Sequence, residues 1–382
     1  MTPDPSAATP APLDVASPAM GERLAAAWED GTLVLPLRDA ESPVRLPGLH
    51  KSVLPASLSG TARVALAGVG ETFAAWRVIP QTNAPLIVRI PHGTPEDLHQ
   101  DLAHEIAALT LLPPGVGPDP VAVQDHAAPS PIGHPYVVTT DVPGTPAPPG
   151  TWTHAHLVAH AEHLAQLHFV AAPGRGPVTL GEDPWALVPA GRPSLLAEVE
   201  AAAEQWRTRH RDVVREHGLE PFITAALRRV EQVEEQIAQL DGFALCHGDL
   251  CATNILWEKP APGEDAPRVG FIDFEWAQAD DPARDLAIIG GAVHGGPWYV
   301  PLGEEQVAGF VEAYQRARAA LGEVPDAVAD TAALRERMRA WTAYERTGML
   351  VHVAARAATR SLHRQVLPVL RRTLAAELEV AA

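Results

Sequence analysis

The stretch Leu245–Ala287, LCHGDLCATNILWEKPAPGEDAPRVGFIDFEWAQADDPARDLA, alternates short apolar runs with isolated polar groups. Phe243–Cys246 is apolar, and His247-Gly248-Asp249 turns the chain out of it. Ile255–Trp257 is a second short run, and Val269–Ile272 is a third that ends at Asp273. Asn254 follows Asp249 by five residues, and Asp273 follows Asn254 by nineteen. A loop and hairpin of this form can hold Asp249, Asn254 and Asp273 around one small volume.

These residue types suit in-line phosphoryl transfer, which asks a protein mainly for positioning and charge neutralisation. Mg²⁺ takes hard oxygen ligands, usually one or two carboxylates beside phosphate oxygens and water. Asp273 and the amide oxygen of Asn254 meet that demand. Asp249 is then left to orient a substrate hydroxyl and accept its proton.

Upstream, Arg63–Leu66, Phe73–Ile79 and Leu86–Ile90 have the texture of strands, as do the apolar runs Thr32–Leu37 and Val53–Leu58. Gly68-Val69-Gly70 lies in the turn before Phe73, where backbone amides can cover phosphates. A Walker-type GxxxxGK[ST] run is absent from the sequence. The spacing predicts a helix over Pro95–Leu112, with Leu98, Leu102, Ile106 and Leu109 on one face. Glu105 shares that face, and a carboxylate there needs a partner, for which Arg89 on the preceding strand is the candidate.

Tyr136–Thr140 is a further predicted strand, followed by a Pro-rich connection to Gly150. Beyond it the character turns helical over His156–Phe169, Leu195–Leu240, Glu304–Leu321 and Ala333–Leu378. His156, His160 and His163 recur at helical spacing without the Cys or carboxylate framework of a zinc site, and predict a solvated face. Trp298-Tyr299-Val300, Trp341 and Tyr344 offer aromatic surface to an acceptor or to the core.

The chain carries 29 basic and 47 acidic residues over 382, a formal charge of −18. Such a balance excludes general nucleic-acid affinity, which rests on dense Lys and Arg. Lys51 and Lys259 are the only lysines, so Arg supplies nearly all positive charge. Cys246 and Cys251, two cysteines flanking the candidate base, make neither a disulfide scaffold nor a four-ligand zinc site. The Pro- and Ala-rich start lacks a signal-peptide pattern, and no stretch reads as a membrane span. The expectation is a cytoplasmic protein, monomeric or homodimeric, that binds small molecules.

His247–Asn254, with Ile272-Asp273-Phe274-Glu275 and Asp281-Pro282-Ala283-Arg284-Asp285-Leu286-Ala287, resembles the aminoglycoside phosphotransferase family. That family includes macrolide, choline-type and homoserine kinases. Leu164-Ala165-Gln166-Leu167-His168 is similar to a helix pattern these proteins carry ahead of the catalytic loop. The Pro-rich start, without periodic apolar residues, predicts a disordered tail over 1–20. The resemblance implies an α+β, protein-kinase-like bilobal fold: a nucleotide-binding lobe of antiparallel sheet over 21–140, a linker over 141–150 and a helical lobe over 151–382. It implies Asp249 as catalytic base, Asn254 and Asp273 as Mg²⁺ ligands, and ATP or GTP as donor. Glu105 pairs with the strand residue Arg89, and Gly68 and Gly70 border the nucleotide. His247 supports the loop, while Asp281 and Asp285 shape the segment after the metal site. The acceptor is a hydroxyl of a polar or cationic small molecule, bound by the helical lobe. Arg89 stands where protein kinases have Lys, and Arg is a wider fork than an ammonium. It keeps a second reading open, a nucleotide-binding pseudokinase with a regulatory partner, against which Asp249, Asn254 and Asp273 all argue.

Overall fold

The computed structural model describes residues 14–33, 61–81, 84–94, 98, 100–124, 130–188, 194–259 and 267–381. Contacts divide the chain into two compact units, residues 1–106 with 118–141, and residues 107–117 with 142–382.

In the first unit, helix α1 (Pro18–Glu29) precedes strands β1 (Ala62–Val69), β2 (Phe73–Pro80) and β3 (Leu86–Pro91). Helix α2 (Leu102–Thr110), of which residues 102–106 count with this unit, follows, then β4 (Pro120–Gln124) and β5 (Tyr136–Thr140). The strands form one antiparallel sheet in the order β1-β2-β3-β5-β4. Strand periodicity sends alternate residues to opposite faces. Trp76, Val78, Val88, Ile90 and Val138 take one face, where Met20, Leu24 and Trp28 of α1 pack against them. The Trp76 indole N–H closes this core on the carbonyl of Val15 at 2.8 Å. Gly21 is the point of closest approach, since a Cβ there would lie 2.7 Å from the Trp76 ring. Arg89, paired in register with Ala75 and Val137, belongs to the opposite face.

The α1 helix corrects the expected tail. Pro18–Met20 form its first turn, and the preceding residues up to 13 lie outside the described residues. Its apolar positions are diluted by Ala and Gly in a Pro-rich setting, which hid the amphipathic face. Of the expected strand Thr32–Leu37, the first two residues instead cap α1 through hydrogen bonds to Ala27 O, and the rest lies outside the described residues, as does Val53–Leu58. The helix expected from Pro95 begins at Leu102, and residues 95–97 lie outside the described residues.

The second unit is mainly helical. It opens with β6 (Thr145–Pro146) and α3 (His154–Leu167), then β7 (Ala171–Ala172). The expected helical stretch Leu195–Leu240 is four helices: α4 (Leu195–Arg209), α5 (Arg211–Glu216), α6 (Glu220–Glu231) and α7 (Glu234–Ala238). Strands β8 (Phe243–Cys246), β9 (Ile255–Glu258), β10 (Arg268–Phe271) and β11 (Gln278–Asp280) follow. Helix α8 (Ala283–Ile288) precedes α9 (Glu304–Leu321), α10 (Asp326–Ala329), α11 (Thr331–Arg356) and α12 (Ser361–Leu378). β8 sits between β11 and β7, and β9 between β10 and β6. α3 packs along α9, and α11 along α6, α8 and α12. The core of Phe222, Ile223, Leu350, Val351, Leu370 and Leu374 joins α6, α11 and α12. Rigid packing on this scale holds the short strands that deliver the polar loop.

Candidate active site

The polar loop of the second unit starts where β8 ends. Phe243–Cys246 is buried throughout, so the chain leaves the core at His247 with its backbone amides still away from water. Asp285, at the start of α8, meets that need: Oδ2 accepts His247 N–H at 2.6 Å and Oδ1 accepts Gly248 N–H at 2.9 Å. The same carboxylate is oriented by His168 Nε2 at 3.1 Å, and His168 Nδ1 meets the Tyr314 hydroxyl at 2.8 Å. Burial works against the Asp285 charge, yet these hydrogen bonds and the neighbouring imidazoles hold its carboxyl below the usual range.

Gly248 has φ +80°, and a Cβ there would come within 2.2 Å of the Trp276 carbonyl oxygen, so only glycine fits. His247 then ties the loop to the strand that carries the second carboxylate. Its Nε2–H donates to Ile272 O at 2.9 Å, while Nδ1 accepts Asp249 N–H at 3.3 Å. Those two bonds define a neutral imidazole, and burial lowers its pKa to match. The loop support expected of His247 thus has a definite geometry.

A short 3₁₀ turn over Ala252–Asn254 brings Asn254 back to Asp249. Asn254 Nδ2 donates to Asp249 O at 2.8 Å and to Asp249 Oδ2 at 3.1 Å, which turns Oδ1 away from Asp249. The Asn254 carbonyl accepts Ile272 N–H at 3.0 Å, so the residue before Asp273 is fixed to the loop. Asp273 itself has φ +71°, one of two non-glycine residues with positive φ among the described residues. Asp tolerates this left-handed conformation better than most, and stored backbone strain of this kind clusters at functional positions. Burial, followed by the charges of Asp273 and Glu345, raises the Asp249 pKa to about 7; its Asn254 hydrogen bond and Arg284 oppose the shift. Asp249 and Asp273 lie close enough for one charge to shift the other's pKa, and with the Asn254 amide oxygen they are hard-oxygen groups that could hold a cation.

In the first unit, Arg89 Nη1 is bound to Glu105 Oε1, and both side chains are buried. The guanidinium also lies 4.3 Å from the centre of the Phe73 ring. Gly70 closes the β1–β2 hairpin through its N–H to Phe73 O at 2.8 Å, and a bulge sets Gly68 beside it. A Cβ at Gly68 would meet nothing within 4 Å, so this glycine leaves the backbone open to its surroundings.

Several residues of the second unit escaped the sequence reading. Asp280 is buried and accepts from Arg175 Nε at 2.6 Å and Arg284 Nη1 at 3.2 Å. Arg175 reaches on to Glu198 Oε2 at 2.5 Å, and Arg284 Nε to Glu345 Oε1 at 3.1 Å. Both guanidinium groups lie over the buried Trp341 ring, which is therefore core rather than acceptor surface. The Tyr344 hydroxyl donates to Glu198 Oε1 at 3.3 Å. Arg284 was within the Asp281–Asp285 motif, but Glu198 and Glu345 sit on Ala- and Arg-rich helices with no local signal. Asp281, expected to be structural, accepts Ala283 N–H at the start of α8 and Arg337 Nε at 2.8 Å.

The expected solvated histidine face is corrected. His160 and His163 are buried. His160 stacks on Phe310 at 5.3 Å, and His163 Nε2 donates to Val116 O at 2.9 Å. Helical spacing alone could not tell an imidazole face packed on aromatics from one facing water. Cys246 and Cys251 are buried free thiols whose pKa values burial raises.

Among the described residues, no helix is long and apolar enough to cross a membrane. No curated protein sequence matches the chain. Residues 63–366 match the model of the phosphotransferase enzyme family. Among solved structures, the fold is similar to a putative aminoglycoside phosphotransferase from Ralstonia eutropha, at TM-score 0.55 and 12% identity, covering 84% of this chain and 92% of that one. An ethanolamine kinase from Plasmodium vivax aligns at TM-score 0.54 and 14% identity, over 82% and 81% of the two chains. The amicoumacin kinase hAmiN, in complex with AMP-PNP, Ca²⁺ and Ami, aligns at TM-score 0.54 and 15% identity, over 83% and 88%. An antiparallel sheet in one unit, a helical second unit and a polar loop built on Asp249, Asn254 and Asp273 agree with that match, and the chain belongs to the phosphotransferase enzyme family, acting on hydroxyl groups.

Proposed function

We propose that the chain transfers the γ-phosphoryl group of ATP or GTP to a hydroxyl of a small, amine-bearing molecule. The observation that carries this reading is the Asn254 amide, whose nitrogen is bound to Asp249, with the Asp273 charge near enough to raise the Asp249 pKa. Asp249 orients the acceptor hydroxyl and takes its proton, a role suited to a carboxylate whose pKa is near 7. Asn254 Oδ1 and Asp273 would hold Mg²⁺, which when bound neutralises charge on the phosphates. The structure of hAmiN is a complex with AMP-PNP and Ca²⁺, which supports a nucleotide donor and a divalent metal here. In the first unit, Arg89, held by Glu105, serves the nucleotide phosphates, and the Gly68–Gly70 turn supplies backbone near them.

The acceptor class follows from charge. Glu345 lies near enough to Asp249 to raise its pKa, and Glu198 adds to the same field. Tyr344, partly exposed and hydrogen-bonded to Glu198, presents an aromatic face next to these carboxylates. A protonated amine on the acceptor would relieve that field, whereas an anionic acceptor would add to it. A phosphoryl-acceptor screen with the purified chain, Mg²⁺ and either ATP or GTP tests the reading. Transfer to amino alcohols or amino sugars is the expected result. A chain that binds nucleotide but transfers to nothing in a broad hydroxyl panel would favour the pseudokinase.

A further inference from the structure

We infer that Arg318 forms a binding site for a small oxyanion, of phosphate or carboxylate type, in a cavity of the helical unit separate from Asp249. Arg318 lies on α9, is 5% exposed, and no described residue accepts a hydrogen bond from its buried Nε and Nη1. The other buried arginines of this unit each reach a protein acceptor, although Nε of Arg346 has none among the described residues. Arg175 and Arg284 meet Asp280, Arg337 meets Asp281, and Arg346 donates to the carbonyls of Ala287 and Ile288. Arg318 instead lies over the face of Phe169, 5.3 Å from its guanidinium carbon. A guanidinium stays charged and carries five N–H donors, so burying it without acceptors is unfavourable. Its planar fork matches a carboxylate or phosphate edge.

Arg318 lines a cavity of about 120 Å³ together with His168, Asp241, Phe243, Pro282 and Pro325, among others. At about 30 Å³ per water, that volume holds roughly four waters or one small oxyanion, and it is too small for a nucleotide. Asp241 is the one carboxylate of the lining, and it is committed elsewhere: Oδ2 accepts Asp326 N–H at 2.9 Å and Oδ1 accepts Ala327 N–H at 3.0 Å. Arg318 and Asp241 form no ion pair. An anion brought to Arg318 therefore supplies the charge that the protein withholds. The same cavity is lined by His168, whose other face orients Asp285 under the catalytic loop. The site is thus one side chain removed from the amides of His247 and Gly248.

The test is a titration of the whole chain with phosphate, sulfate, acetate and chloride, following the thermal midpoint and the ¹⁵N–¹H signal of the Arg318 Nε. The expected result is a saturable rise of the midpoint with an oxyanion and a shift of that signal. In Arg318→Met, which keeps most of the packed stem, the affinity should fall roughly thirtyfold or more. Phosphate bound at the nucleotide position would persist in that variant, so loss confined to Arg318→Met separates the two sites. A stronger response to acetate than to phosphate would identify a carboxylate ligand, and the reverse order a phosphate. Equal responses in wild type and Arg318→Met would overturn the proposal. Should that variant not fold, an Arg318 signal in the wild type that is unmoved by all four anions overturns it as well.

Discussion

The Asp285 carboxylate accepts the backbone N–H of His247 at 2.6 Å and, through its other oxygen, that of Gly248. The loop that carries Asp249 is therefore hung from a helix rather than left to its own turn. Asp285→Asn replaces one acceptor oxygen with a donor that faces an N–H. The expected cost is about 1–3 kcal/mol of stability. Turnover should fall at least about tenfold, because a misplaced general base loses rate steeply. Nucleotide affinity should change little. Urea unfolding and steady-state kinetics check this, and wild-type values in both would remove Asp285 from the positioning role.

Acid should destabilise the chain well above the carboxylate range. Burial lowers the pKa of His160 from its ordinary 6.5 to about 3. Below pH 6.5 the unfolded chain takes up a proton here that the folded chain refuses. Stability is therefore full above about pH 7 and declines as pH falls toward 3. This one imidazole accounts for a loss of about 2 kcal/mol between pH 7 and 5. His160→Leu removes the titrating group, so its unfolding free energy should vary less between those two pH values than that of wild type. An unchanged slope would mean that His160 is not held neutral.

Much of this site was legible in the sequence because its parts are local. Asp249, Asn254 and Asp273 are delivered by short apolar strands whose ends are marked by the polar residues themselves. The Arg89–Glu105 pair followed from a helical face that placed a carboxylate among leucines. Contacts between distant segments left no such trace. Glu345 lies 96 residues beyond Asp249, and Glu198 51 before it, each on a helix whose composition reads as a solvated face. His160 shows the same limit in reverse: its spacing predicts a face, but only the packing of α3 on α9 decides that the face is buried.

Gly248→Ala tests the close approach of the loop to Trp276. The added methyl would stand 2.2 Å from a carbonyl oxygen, and φ +80° disfavours alanine independently. The expected outcome is a loss of turnover of about a hundredfold or more, since the residue precedes the base. Gly68→Ala is the contrasting control, because its Cβ would meet nothing within 4 Å. It should leave stability unchanged, as read by thermal unfolding.

Arg89→Ala should weaken nucleotide binding by roughly tenfold or more and leave Glu105 buried without its cation. Arg89→Lys should recover part of the affinity, since an ammonium keeps the charge but loses the fork. Calorimetric titration with a non-hydrolysable nucleotide measures both. Unaltered affinity in the alanine variant would break the link between the Arg89–Glu105 pair and the donor.

The measurement that bears most directly on the account is phosphoryl transfer by Asp249→Ala beside wild type, with labelled ATP or GTP, Mg²⁺ and an amino-alcohol acceptor found in the screen. The account predicts that the variant binds nucleotide nearly as wild type does and transfers at least about a hundredfold more slowly. Transfer at the wild-type rate by Asp249→Ala would contradict it.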